Sequence, residues 1–132
     1  MTIVLDHTIV PARDKAASAK YFAELFGLSA GEPVGPFTPV QVNPSLTFDF
    51  DDRRPFEIHH YAFHLSDDEF DAIFGRVKAR GLAYGSDPYD QENMRIREFN
   101  GGRTMYFKEL NGHLLEIRTR TSADDIAASR RG

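Results

Sequence analysis

Residues 59–82 read HHYAFHLSDDEFDAIFGRVKARGL. Two periods meet in this stretch. Up to Leu65 the pattern alternates: Tyr61, Phe63 and Leu65 share one face with His59, while His60, Ala62 and His64 share the other. That is a strand with an aromatic face. From Ser66 the period changes. Ser66 and Glu69 form the S-x-x-E capping box that opens a helix, and Phe70, Ile73, Phe74 and Val77 make an i, i+3, i+4, i+7 stripe. Gly81 ends it.

The same order of signals occurs upstream. TIVLDHTIVPARD, from Thr2, opens with β-branched residues and reads as a strand. Asp14 caps a helix whose stripe is Ala19, Phe22, Ala23 and Phe26, with Gly27 at its C-terminal end. The two copies superpose in sequence. His7 falls on His60 and Asp14 on Asp67, both 53 residues apart, and Gly27 falls on Gly81, 54 apart. Asn43 in VNPSLTFDF matches Asn111 in LNGHLLEIR at a separation of 68, the excess being absorbed by the polar loop GLAYGSDPYDQENM. The chain is thus strand–helix–strands written twice, and neither half is large enough to stabilise itself comfortably, so the pair is expected to share one core.

The remaining strands follow. The Pro- and Gly-rich SAGEPVGPFTPVQVNPS has room for a short strand around Phe37 to Val42, and SLTFDFDD alternates Leu46, Phe48 and Phe50 against Thr47 and Asp49. RIREFN, GGRTMYFKEL and HLLEIRT read as strands joined by NGG and LNG turns. The tail TSADDIAASRRG has no core stripe and is expected to form a short helix or fray.

Composition narrows the function classes. A chain of 132 residues with 41% hydrophobic and 27% charged residues fits a globular domain. The net charge of −4 argues against a phosphate-binding surface and hence against nucleic acid. With Cys 0, any metal must sit on His, Asp or Glu. MTIVLDHTIV has no basic n-region, and no apolar run suits a membrane, so a cytoplasmic protein is expected.

The histidine cluster reduces to one ligand. His60 and His64 share a face, but their α-carbons are separated by roughly 13 Å of strand, too far for one ion to take both readily. The repeat favours His60, the counterpart of His7. Glu116 lies opposite the apolar face made by Leu115 and Ile117, and a carboxylate in such a setting needs a cation or a hydrogen-bond network. His7, His60 and Glu116 together make two imidazoles and a carboxylate, a set suited to divalent iron, manganese, zinc, nickel or cobalt. Thr104 and Tyr106 alternate away from Met105 and Phe107 and face the cavity, with Tyr106 placed to donate a hydrogen bond or proton. Arg97 and Arg103, with Arg95, are placed to meet an anionic substrate, and His64 to line the cavity. His59 and His113 are expected at the surface.

LDHTIVPARD with YFAELFGL, then HHYAFHLSDDEFDAIFGRVKARGL, then GGRTMYFKELNGHLLEI resemble the vicinal oxygen chelate superfamily, the group of glyoxalases, bleomycin-resistance proteins and extradiol dioxygenases. The resemblance covers about residues 3 to 119. It implies an α+β fold of two βαβββ modules, residues 1–54 and 55–119, in one domain spanning 1–132 with a C-terminal tail at 120–132. The modules would form a curved, partly open mixed β-barrel with helices outside. It implies metal ligands at His7, His60 and Glu116. A fourth ligand common in glyoxalase-type members has Phe48 at the matching position, with Asp49 beside it. The implied activity is lyase or dioxygenase chemistry on a small molecule whose vicinal oxygens chelate the metal, in a homodimer. The alternative is a metal-free binding protein of the bleomycin-resistance kind.

Overall fold

The computed structural model describes residues 3–53 and 55–131, so Thr2, the first residue of the expected opening strand, lies outside the described residues. The chain divides into two compact units, Met1–Ile58 with Glu109–Gly112, and His59–Lys108 with His113–Gly132.

The first unit runs β1 (His7–Pro11), α1 (Lys15–Phe26), β2 (Thr38–Asn43) and β3 (Leu46–Asp51). Its sheet has the order β1-β3-β2, with β1 parallel and β2 antiparallel to β3. Asp14 caps α1 by accepting from the Ala17 N–H, and Gly27 closes it at φ 70°, where a side chain would be strained. The buried stripe of α1 is Ser18, Ala19, Phe22, Ala23 and Leu25; Leu25 takes the inward place expected of Phe26. Phe22 stacks on Phe48 with ring centroids 5.2 Å apart, which ties α1 to β3. Returning from far along the chain, Asn111 is buried here. Its side chain accepts from the Arg13 N–H at 2.9 Å and donates to Ser18 Oγ at 2.9 Å.

This unit has one strand fewer than the expected βαβββ. Between α1 and β2 the chain makes only single bridges, Ala30 with Val40 and Val34 with Phe37. Pro33 and Pro36 carry no N–H, so the segment has no continuous row of donors for a ladder.

The second unit runs β4 (His60–His64), α2 (Asp67–Ala79), β5 (Tyr84–Gly85), β6 (Arg97–Phe99), β7 (Gly102–Lys108), β8 (Leu114–Arg118) and α3 (Ser122–Arg131). Its sheet has the order β4-β8-β7-β5, with β6 added on β7. β4 runs parallel to β8, and β7 antiparallel. The capping box of α2 is complete: Ser66 Oγ accepts from the Glu69 N–H, and Glu69 accepts from the Ser66 N–H. Phe70, Ile73 and Val77 of α2 are buried, as are Met105, Phe107, Leu115 and Ile117 of β7 and β8. Asn100 and Gly101 both have positive φ, 50° and 78°, the backbone of a tight hairpin turn between β6 and β7. The tail is α3, opened by a reciprocal pair in which Thr121 Oγ1 accepts from the Asp124 N–H and Asp124 accepts from the Thr121 N–H.

The fold class is therefore α+β with mixed sheets. Among the described residues the hydrogen-bonded strands form a three-stranded sheet in the first unit and a five-stranded sheet in the second. No helix among the described residues is long and apolar enough to cross a membrane.

Candidate active site

The site is written into β8. Leu115 and Ile117 point into the core at 1% and 0% exposure, so Glu116 and Arg118 take the other face. Glu116 is nevertheless buried, because β4 and β7 flank it. It lies in register with Ala62 on one side and Tyr106 on the other. Ala62 is small, which leaves room for the longer His60 to reach across diagonally.

His60 Nε2 comes within 3.1 Å of Glu116 Oε1. His60 Nδ1 lies 3.1 Å from the Leu114 carbonyl oxygen. A carbonyl only accepts, so Nδ1 carries a proton. The neutral ring then presents the Nε2 lone pair to a carboxylate oxygen, two acceptors face to face. A cation between them resolves the conflict, either a second ring proton or a metal ion. Two donor atoms 3.1 Å apart can both reach one ion at about 2.0–2.2 Å. The Leu114 carbonyl supplies the ring-orienting contact that metal-binding histidines require. One imidazole nitrogen and one carboxylate oxygen are two of the donors a divalent metal would take.

Tyr106 completes this cluster. Its ring stacks beside His60 at 6.1 Å, and its hydroxyl donates to Glu116. Burial first, then the Glu116 charge and that hydrogen bond, push the phenol up to about 12. It is a stable donor and a reluctant acid. Arg118 Nη1 is 3.5 Å from Glu116 Oε2 and gives the carboxylate a partial counter-charge.

The other expected residues are placed as follows. His7, in the first unit, is exposed, and its Nδ1 is 2.8 Å from Asp6 Oδ2; that hydrogen bond raises its pKa. His7 is in register with Thr47 on β3, so Asp49, two residues on, shares its face. Among the described residues no three His, Asp or Glu side chains gather closely enough to hold an ion. Thr104 and Arg97 line a cleft of about 160 Å³ together with Tyr106 and Glu116. Arg103 is held elsewhere. It bonds Asp67 at 2.9 Å and Asp71 at 2.7 Å and lies 4.2 Å over the Phe70 ring, fastening α2 to β7. His64 is exposed on β4, in register with Arg118.

His113 departs from expectation. It is fully buried, and its Nδ1 accepts from the His59 N–H at 2.9 Å. The LNG turn suggests exposure, but the inward alternation of Leu115 and Ile117 already extends back to His113. Arg118, Arg120 and Asp125 were also missed as cleft residues. The signal for Arg118 was its place two residues beyond Glu116; α3 brings Asp125 in, and no local pattern marks that.

No family model matches the chain. Among solved structures it is similar to oxidase ChaP-H2, at 46% identity and a TM-score of 0.86, covering 92% of this chain and 96% of that one. The fosfomycin resistance protein FosX from Mesorhizobium loti shares the fold, with a TM-score of 0.68 at 19% identity over 96% of this chain and 99% of that one. Among curated proteins, metallothiol transferase FosB of Shouchella clausii (strain KSM-K16) is 31% identical over 68 residues. Those residues are 52% of this chain and 42% of that protein, so the match spans less than half the length of the curated relative.

Proposed function

Because the chain belongs to the vicinal oxygen chelate superfamily, we propose that it is a divalent-metal enzyme of the oxidase or dioxygenase kind, acting on a small molecule with two neighbouring oxygen atoms. The observation that carries the metal is the apposition of His60 Nε2 and Glu116 Oε1 at 3.1 Å with Nδ1 already committed to a carbonyl. The preference for oxidation over lyase chemistry rests on the similarity to oxidase ChaP-H2.

In this reading His60 and Glu116 hold the ion, and His7 is the third ligand, supplied by this chain or by a second copy in a homodimer. His7 and His60 then open equivalent modules, as the repeat suggests. Asp49 is a candidate fourth ligand. When bound, the ion supplies Lewis-acid stabilisation of charge on the substrate oxygens and, as iron or manganese, redox capacity toward dioxygen. The chain's own residues do the rest. The Leu114 carbonyl fixes the His60 ring. Tyr106, protonated and buried, donates to Glu116 and is placed to turn that donor toward a substrate oxygen. Thr104 and Arg97, on the same cleft, contact the rest of the substrate; His64 and Arg103 are the weaker contacts, since neither is among the cleft residues and Arg103 is already paired.

The test is oxygen uptake. Chelator-stripped protein reloaded anaerobically with each of Fe(II), Mn(II), Co(II), Ni(II) and Zn(II) is mixed with catechols, hydroxyquinones and vicinal diketones. Oxygen consumption that needs iron or manganese and disappears in Glu116→Gln supports the reading. Turnover without oxygen points to the lyase branch. Tight small-molecule binding with no metal and no turnover points to the metal-free binder.

A further inference from the structure

Arg118 is the residue the metal does not explain. It follows Glu116 by two on β8 and shares its face. Its side chain is only 20% exposed. Nη2 is bonded to Asp125 Oδ2 of α3, and Nη1 is 3.5 Å from Glu116 Oε2. Nε is buried with no hydrogen-bond partner, the one such side-chain atom among the described residues. A buried guanidinium N–H without an acceptor is costly, and the planar fork of arginine is shaped for a carboxylate.

The surroundings suit an anion joined to a flat ring. Three arginines, Arg97, Arg118 and Arg120, line the cleft against two carboxylates, Glu116 and Asp125. Neutralising Glu116 with a metal ion increases the positive excess. Phe99 is 54% exposed at the same cleft, with the Arg97 guanidinium 5.2 Å from its ring centroid. Exposed aromatic and arginine faces of this kind stack on planar groups. A volume of about 160 Å³ is close to that of a cavity that takes a benzene ring. It has room for one ring and its acid group.

We propose that this cleft is the subsite for the carboxylate of an aromatic acid, gripped by Arg118 and Arg97, with Asp125 of α3 competing for the same guanidinium. The proposal deepens the functional reading, because the cleft shares Glu116 and Tyr106 with the metal centre, but it does not need the metal to be present.

The test therefore uses the full chain stripped with a chelator. Benzoate and its neutral counterpart benzamide are titrated by calorimetry into the wild type and into Arg118→Gln, Arg97→Gln and Asp125→Asn. The acid is expected to bind at least roughly tenfold more tightly than the amide, with each arginine variant weakening the acid by about tenfold and leaving the amide unchanged. Asp125→Asn is expected to tighten the acid alone, by freeing Arg118. Far-UV circular dichroism checks each fold, and if Arg118→Gln does not fold, Arg97→Gln and Asp125→Asn carry the test. Equal binding of acid and amide, or no binding of the acid, overturns the proposal. So does an Asp125→Asn variant that binds the acid no better, since Arg118 would then serve only to anchor α3. Metal content, measured separately on the same proteins, reports on the metal centre independently.

Discussion

Nε2 of His60 lies 3.1 Å from Oε1 of Glu116, across two parallel strands, while the other nitrogen of the same ring meets the Leu114 carbonyl at 3.1 Å. A neutral imidazole cannot satisfy both acceptors. A cation between Nε2 and Oε1, whether a ring proton or a metal ion, would satisfy both acceptors at once. The two differ in what removal of one member does, which gives the first prediction.

His60→Ala leaves Glu116 with Tyr106 as a donor and Arg118 as a counter-charge. Glu116 is therefore not stranded, and the His60 side chain is 47% exposed. Without metal, the variant should lose no more than about 1 kcal/mol in urea unfolding. A loss several times larger would show that His60 is a structural counter-ion rather than a ligand.

Tyr106→Phe removes the hydroxyl that donates to the buried Glu116 carboxylate. The expected cost is about 1.5 kcal/mol, the usual range for a hydrogen bond to a charged group. Metal content should be retained and turnover reduced, because the donor and not the ligand has gone. Unchanged stability would mean that water replaces the phenol there.

The α2 cap carries the clearest pH dependence. Hydrogen bonds from the Ser66 backbone and side chain hold the Glu69 carboxyl below its ordinary value of 4.5. A depressed carboxylate stabilises the fold above the unfolded-state value and loses that contribution as pH falls through the folded one. Glu69→Gln should therefore be less stable than the wild type near neutrality. The gap should shrink as pH drops below 4.5. Urea midpoints of both proteins across that range give the comparison, and a gap independent of pH would contradict it.

Two glycines should respond in opposite directions. A Cβ at Gly75, inside α2, would meet nothing within 4 Å, so Gly75→Ala should gain about 0.5–1 kcal/mol from helix propensity. At Gly85 a Cβ would fall 2.1 Å from the Asp90 carbonyl oxygen and 2.5 Å from Gln91 Cα, backbone atoms that cannot swing aside. Gly85→Ala should cost about 2 kcal/mol or more. Thermal melts of the two variants should move to opposite sides of the wild type.

What the sequence shows of this site is what strand alternation shows. A period of two assigns Glu116 and Tyr106 to one face and Leu115, Ile117, Met105 and Phe107 to the other, and burial follows that division. The helix ends were equally legible, since Asp14, Gly27, Ser66 and Glu69 are local chemical devices. The T-x-x-D pair that opens α3 was just as local, and the polar tail obscured it. Pairing across the chain was not legible. That His60 sits beside Leu114 depends on a parallel ladder between strands 54 residues apart, and no local period encodes such a partner. His113 was misjudged for a related reason. Its turn composition argues for water, but it immediately precedes β8, on the inward side shared by Leu115 and Ile117, and its ring is fully buried.

The central claim is that His60 and Glu116 hold a divalent ion, and metal titration of the stripped protein tests it most directly. Melting temperature is followed for the wild type, His60→Ala and Glu116→Gln as Fe(II), Mn(II), Zn(II), Ni(II) and Co(II) are added, with bound metal counted by elemental analysis. The account predicts about one ion per site, a rise in the wild-type melting temperature that a chelator reverses, and neither effect in the two variants. A wild type that no ion stabilises, or a His60→Ala protein that binds metal as well as the wild type does, would contradict it.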